Sequence, residues 1–98
     1  MAKLFKILPF QVLPLQCILV MPQDFNREYL LISNSVISLN QLAFVFYNLE
    51  SASLSAAPKD SISIYPSGYY EPNIIPANEI SVYNPSSVNS ISGFILYL

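Results

Sequence analysis

Apolar and polar residues alternate along several short segments of this chain. Residues 61–65 and 79–83 place polar and apolar side chains in turn, which is the pattern of a strand with one face against a core. Residues 29–34 instead begin with a continuous apolar run, typical of a strand buried on both sides. Residues 42–47 form the next apolar run. The pattern therefore predicts a chain built from short strands.

The segment 88–98 is apolar on both faces of a strand. One face would carry Ile91, Gly93, Ile95 and Tyr97, and the other Ser92, Phe94, Leu96 and Leu98. Such a strand would promote aggregation if it lay at the open edge of a sheet. We therefore expect it to be a central strand or part of a subunit interface.

Three prolines interrupt the first part of the chain: Pro9, Pro14 and Pro22. Residues 4–8, before Pro9, and residues 15–21, between Pro14 and Pro22, are short strand candidates. Fully extended, the first 22 residues would span roughly 70 Å. A domain of about 100 residues is only about 30–35 Å across. We therefore predict an extended N-terminal arm at 1–22, followed by a β-sandwich domain at 23–98. The arm either folds back as two strands or reaches onto a neighbouring subunit.

The composition favours strands over helices. Ile, Val, Tyr and Phe are abundant, and eight prolines leave little room for long helices. The segment 51–59 is predicted to be a loop or short helix, and 66–69 a tight turn in which Gly68 supplies a positive φ. The predicted fold class is all-β: a small antiparallel β-sandwich, jelly-roll-like, of about seven to nine strands.

Charge is scarce in this sequence. Four basic and six acidic residues make up 10% of the chain, against about 25% in an ordinary soluble domain. A free monomer with so few surface charges would be poorly soluble, whereas a subunit packed among neighbours would not. The scarcity therefore favours a homo-oligomer, such as a trimer. The net charge of −2 and the lack of a Lys/Arg cluster argue against a nucleic-acid partner.

The sequence offers little for catalysis. It contains no histidine, one cysteine and two glycines, which argues against histidine-based triads, a cysteine-based metal site and a phosphate-cradling loop. Glu71 and Glu79 could in principle form an acid pair, but solvated loop carboxylates are the favoured interpretation. Cys17 lies in an apolar run and is interpreted as a small buried hydrophobe rather than a reactive thiol. No enzyme activity, metal or cofactor is expected.

Two segments imitate membrane or targeting signals. Residues 1–21 carry lysines followed by apolar residues, like a secretory signal, but Pro9 and Pro14 break the apolar stretch. Residues 29–49 are uncharged over the length of a spanning helix, but they contain seven Ser, Asn and Gln residues. No membrane partner is expected.

Several residues are candidates for contact with a partner. Arg27 either pairs with Asp24 or Glu28 at the rim of its strand or forms an inter-subunit ion pair. Tyrosines cluster around the predicted 66–69 turn, either as a binding patch for a sugar or protein or as residues at the rim of the core. The candidate interface residues are Lys3, Phe5, Ile7 and Phe10 of the arm, Arg27, and Tyr65, Tyr69 and Tyr70 near the turn.

Three segments resemble small virion proteins of tailed bacteriophages. They are Asn-Arg-Glu-Tyr-Leu-Leu-Ile-Ser-Asn at 26–34, the Pro-Ser-Gly turn within 64–72, and the Pro-x-x-x-Ile-x-Val strand within 75–83. The segments 1–22 and 88–98 lie outside the match. The resemblance implies a capsid-associated β-sandwich, often oligomeric, that decorates or cements a phage head. It carries over no catalytic residue.

The expected function is that of a viral structural protein, a capsid decoration or cement subunit located in the virion and made in the host cytoplasm. Its expected partners are copies of itself and a major capsid protein or another virion subunit. The arm would clamp onto a neighbour by strand addition. The alternative is a tail or fibre component, or a sugar-binding module that uses Tyr65, Tyr69 and Tyr70.

Overall fold

The computed structural model describes residues 4–35, 42–45 and 62–98, the second range by its backbone. These residues form eight β-strands and no helix. In chain order the strands are β1 (Lys6–Val12), β2 (Cys17–Met21), β3 (Leu30–Asn34), β4 (Leu42–Val45), β5 (Ile62–Ile64), β6 (Tyr69–Tyr70), β7 (Ile80–Tyr83) and β8 (Ile91–Tyr97). The predicted all-β class is therefore confirmed.

The strands form two antiparallel sheets, with the orders β1-β8-β3-β6 and β2-β7-β4-β5. One cluster of buried apolar side chains draws on both sheets. The first sheet contributes Phe10, Val12, Leu30, Ile32, Ile91 and Ile95, and the second contributes Met21, Ile64, Ile80 and Val82. Burial of side chains of this size stabilises a fold by roughly 1.5–3 kcal/mol each. The jelly-roll-like sandwich arrangement stays a prediction.

Residues 6–21 are built into the two sheets. β1 pairs with β8 over its whole length, and β2 pairs with β7. Val12 and Met21 are buried in the shared core. Of the two alternatives for the arm, the structure therefore has the one in which it folds back as two strands. The strands on both sides of the boundary predicted at residue 22 belong to the same two sheets.

The last strand is central, as one of the two alternatives for it predicted. β8 lies between β1 and β3. In its middle, a Cβ added to Gly93 would lie 2.2 Å from the carbonyl oxygen of Ser33 and 2.7 Å from Cζ of Phe10. Both distances are far below van der Waals contact. Only glycine fits at this position, and the Phe10 ring fills the space beside it.

Two turns place a residue other than glycine in the left-handed region. Leu15 and Ser67 have φ values of 59° and 68°, and each follows a proline. In each turn the amide of the fourth residue donates to the carbonyl oxygen of the first, at 3.1 and 2.8 Å respectively. The positive φ predicted for Gly68 is wrong. It belongs to Ser67, because a type II turn with proline at its second position has its positive φ at the third.

Two buried asparagines connect the sheets at one end of the molecule. The Asn34 side chain, in β3, donates to the carbonyl oxygen of Ile64 in β5 at 2.9 Å. The Asn84 side chain, just after β7, donates to the carbonyl oxygens of Val12 in β1 at 3.0 Å and Asn89 at 2.7 Å. These bonds satisfy backbone groups that burial would otherwise leave unpaired.

Several sequence-based expectations fall wholly or partly outside the described residues, among them the arm at 1–22, the strand at 61–65 and the segment 29–49 in part. Three more belong to this group. They concern Lys3 as an interface residue, the loop or short helix at 51–59, and the final part of the strand predicted at 42–47.

Candidate assembly surface

The first sheet has one face in the core and one face turned away from it. Along β1, β3 and β8, buried residues alternate with residues that are exposed or half-buried. Strand pairing aligns the outward-facing residues in three rows across the sheet: Ile7, Leu96 and Leu31, then Pro9, Phe94, Ser33 and Tyr69, and then Gln11 and Ser92. We call this surface the outer face, and the opposite side of the sheet the inner face.

An aromatic pair extends the outer face beyond the ends of its strands. The rings of Phe5 and Tyr29 have centroids 5.0 Å apart and planes tilted by 56°, an arrangement that favours attraction between aromatic rings. The Tyr29 hydroxyl donates to a carboxylate oxygen of Glu71. This hydrogen bond, and desolvation after it, raise the pKa of Tyr29 above its usual value. One oxygen of Glu71 is thus engaged at the rim of the face.

Apart from Glu71 at its rim, the outer face carries no charged side chain among the described residues. Its polar members are neutral: Gln11, Ser33 and Ser92. Ile7 and Tyr69 are each 66% exposed, and Phe5 is 54% exposed. Contiguous apolar patches of several hundred Å² on soluble proteins mark contact sites, so this face is the candidate for function.

Three of the four sheet edges are less suited to binding than the face. β1, at one edge of the first sheet, contains Pro9, which has no N–H to donate to an added strand. β6, at the other edge, has two residues. β2, at an edge of the second sheet, has an irregular register between Leu19 and Met21. Prolines, short strands and bulges all discourage edge-to-edge pairing.

Three of the predicted interface residues lie on the outer face: Phe5, Ile7 and Tyr69. Phe10 does not, because it is an odd number of residues from Ile7 on the same strand and its ring is buried in the core. β1 is paired with β8 within its own chain. It is therefore not a free strand that could be added to a neighbour.

Arg27 is turned into its own chain. Its side chain is 7% exposed, and its guanidinium donates to the carbonyl oxygens of Pro22 at 3.0 Å, Asn78 at 3.2 Å and Pro76. Burial lowers the pKa of Arg27, and the negative charge of Asp24 opposes that shift. The guanidinium thus ties two loops of its own chain together, and the inter-subunit ion pair stays a prediction.

The tyrosines near the second turn do not share one surface. Tyr69 and Tyr70 are adjacent in β6, so their side chains lie on opposite faces of the sheet. Tyr69 is on the outer face, whereas Tyr70 packs against the core. Tyr65 is exposed beside the turn. The three residues considered for sugar binding are therefore not brought together.

Four apolar residues of the outer face were not among the predicted interface residues: Pro9, Leu31, Phe94 and Leu96. Its polar members Gln11, Ser33 and Ser92 were not among them either. For Phe94 and Leu96 a signal exists in the sequence, namely the two apolar faces of 88–98. For Leu31 the continuous apolar run of β3 gives no indication of which residues face outward.

Other chemistry is sparse in the part of the chain that the structure describes. Cys17 is half-buried, and burial raises the pKa of its thiol, which lowers the fraction of reactive thiolate at neutral pH. These residues contain no group of three or more Cys, Asp or Glu side chains placed to hold a metal ion. They also form no helix long and apolar enough to cross a membrane.

No protein-family model matches the chain, and no curated protein or solved structure matches it either.

Proposed function

We propose that this chain is a viral structural protein, a decoration or cement subunit that stabilises a phage head through subunit contacts and catalyses no reaction. The observation that carries the proposal is the apolar, nearly uncharged outer face. Covering such a face with a neighbouring subunit gains about 25 cal/mol for each Å² of apolar surface removed from water. A subunit bound in this way resists dissociation, because leaving the particle exposes the face again.

The proposed mechanism is packing of sheet faces rather than addition of a strand. β1 and β2 are already paired within the chain, and Pro9 discourages pairing at the open edge of β1. The side chains of Ile7, Phe94 and Leu96 instead face outward, where a partner can bury them in the apolar centre of an interface. A major capsid protein is one such partner.

The resemblance to phage virion proteins supports the viral part of the proposal separately. Arg27 and Asn34, two polar residues of its first motif, both donate hydrogen bonds to backbone carbonyl oxygens of distant segments. The motif thus combines two residues that hold loops with an apolar strand between them. Assignment to a phage head rests on this motif, whereas assignment to an assembly rests on the outer face.

Fractionation of cells that naturally make this chain tests the proposal. The chain should co-sediment with assembled particles on a density gradient. Ile7→Lys should leave it in the soluble fractions, because contact would bury the introduced charge without a partner. The matched control is Ile74→Lys, the same substitution at a position 89% exposed in the loop between β6 and β7. Absence of the unmodified chain from the particle fractions would contradict the proposal.

A tail or fibre component, or a sugar-binding module, is the second candidate, favoured by the exposure of Tyr65. Tyr65 is not among the paired residues that form the outer face. If Tyr65 binds a sugar, Tyr65→Ala should lower binding to a glycan array while co-sedimentation with particles stays unchanged. Equal glycan binding by Tyr65→Ala and by the unmodified chain would contradict this candidate.

A further inference from the structure

We propose that Glu71, at the rim of the outer face, receives an arginine side chain of the partner protein that covers this face. The inference rests on the proposed function, because it names the chemistry of the partner at one position of the same surface. Four residues form the site, which we call the acidic aromatic corner: Phe5, Tyr29, Tyr69 and Glu71. They combine one carboxylate with three aromatic rings.

The acidic aromatic corner is assembled from three parts of the chain. The Tyr29 hydroxyl donates to a carboxylate oxygen of Glu71, and the Phe5 ring packs against the Tyr29 ring. Tyr69 precedes Glu71 by two residues, a spacing that puts two side chains on the same side of an extended chain. The hydrogen bond to Glu71, desolvation and the charge of Glu71 raise the pKa of Tyr29, and Tyr69 is close enough to add to the shift. Both tyrosines therefore lie beside the same carboxylate.

A partner that covers the outer face would remove water from Glu71. Phe5 and Tyr69 are exposed, and covering their rings also covers the carboxylate beside them. A carboxylate that loses water without gaining a cation is costly enough to oppose binding. The Tyr29 hydroxyl supplies a hydrogen bond but no positive charge. A tightly bound partner must therefore bring a cation to this position.

The described part of this chain supplies no cation to the corner. Its basic side chains are Lys6 and Arg27. Lys6 is adjacent to Ile7 on β1, so it points to the opposite side of the sheet, with its Nζ 6.0 Å from the centre of the Tyr97 ring. Arg27 donates to three backbone carbonyl oxygens of its own chain. The charge of Glu71 is therefore complementary to a different protein that carries a basic side chain.

Arginine suits the acidic aromatic corner better than lysine. Its planar guanidinium can donate to both oxygens of a carboxylate and can also stack on an aromatic ring. Each oxygen of Glu71 has two lone pairs, so the oxygen that accepts from Tyr29 can accept a second hydrogen bond. The lysine ammonium is compact and more strongly hydrated, and it gains less from a neighbouring ring.

NMR titration of the full chain with acetyl-arginine amide tests the corner without the partner. The ring resonances of Tyr29 and Tyr69 should shift with a dissociation constant of about 10–100 mM, on the order expected for one exposed ion pair and one ring contact. Glu71→Gln should raise that constant about threefold or more, because the ion pair is lost. The control Glu79→Gln, the same substitution outside the corner, should leave it unchanged. Acetyl-citrulline amide, a neutral molecule of nearly the same shape, should cause no saturable shift.

Three results of this titration would overturn the inference. They are equal shifts with the arginine and citrulline probes, a dissociation constant unchanged by Glu71→Gln, and binding of acetyl-lysine amide as tight as that of acetyl-arginine amide. The first two would show that the carboxylate attracts no cation, and the third that the corner does not select the guanidinium.

Co-sedimentation with particles tests whether the corner is used in the assembly. Glu71→Gln should lower the bound fraction about tenfold or more, because it leaves the partner's buried guanidinium without a counter-charge, whereas Glu79→Gln should not. If Glu71→Gln and the unmodified chain co-sediment equally, the inference fails and the proposed function stands. If the arginine probe binds as expected but the chain never accompanies particles, the corner stands as an arginine site and the proposed function fails.

Discussion

The two faces of the first sheet are similarly apolar, yet their surroundings differ. The inner face is buried in the core cluster and includes Leu30, Ile32, Ile91 and Ile95. The outer face, one residue further along the same strands, leaves Ile7 exposed and Phe94 and Leu96 half-buried. An apolar pattern thus identifies residues that avoid water. Whether the chain covers them itself or leaves them for a partner is a separate matter.

Substitutions on the two faces should therefore separate folding from association. A change on the inner face should lower the free energy of unfolding of the monomer. A change on the outer face should alter association and leave the monomer nearly as stable. Neighbouring residues of β8 offer the sharpest contrast, because they share a strand and a register.

The largest effect is expected from Gly93→Ala. The added methyl would lie 2.2 Å from a backbone oxygen of β3 and 2.7 Å from the Phe10 ring, so β3 and β8 would have to separate. We expect the free energy of unfolding to fall by about 4 kcal/mol or more, at the upper end for an overfilled core. Urea denaturation measures it, with the exposed Ser90→Ala as the control. A loss below about 1 kcal/mol would show that the strands can adjust.

Ile95→Ala and Leu96→Ala compare adjacent residues on the two faces. Ile95 is fully buried, so its truncation should cost about 3–4 kcal/mol in lost burial and a residual cavity. Leu96 is half-buried on the outer face, and its truncation should cost about 1 kcal/mol or less in the monomer. Urea denaturation at low protein concentration compares the two losses in the monomer, because few copies are then associated. Equal losses would mean that the outer face is packed within the chain.

Pro9→Val tests whether the face or the edge governs association. Valine restores a backbone N–H at the open edge of β1 and has a high strand propensity. We expect a change in stability within about 1 kcal/mol and slow aggregation through the edge, measured by thioflavin fluorescence. Pro85→Val, at an exposed position outside the strands, is the control. An unchanged aggregation rate would show that something other than Pro9 protects this edge.

The smallest effect concerns Tyr29 at the rim of the outer face. Its pKa is raised in the folded chain, mainly by the hydrogen bond to Glu71. Because the folded pKa lies above the unfolded value near 10, the stabilisation is complete below that value and is lost as the pH rises through the folded pKa. In an absorbance titration near 295 nm, Glu71→Gln should move the titration of Tyr29 to a lower pH. An unchanged titration would mean that this hydrogen bond does not form in solution.

The sequence was a good guide to strands and a poor guide to their partners. The two apolar faces of residues 88–98 predict a central strand or part of a subunit interface, and β8 is central. The first segment was recognised as two strand candidates, but whether it folds back depends on β8 and β7, which lie more than half the chain away. Such pairings are decided by long-range contacts that local composition does not encode.

The candidate site was predicted in part, for the same reason. Phe5, Ile7 and Tyr69 were identified as interface candidates, whereas Phe10 was grouped with them although it faces the core. Arg27 stood out as a charge beside an apolar strand. Its binding to three backbone carbonyl oxygens depends on two loops that meet only in the folded chain.

The sequence by itself determined an all-β chain with little charge, no histidine and more apolar strand surface than one core requires. Only the tertiary structure decided which apolar strand face lies outside the core. Successive side chains of a strand point to opposite sides, and in β8 both sides are apolar, so its local pattern does not select the buried side. In the folded chain Ile91 and Ile95 are buried in the core cluster, to which residues of both sheets contribute, and Phe94 and Leu96 face away from it.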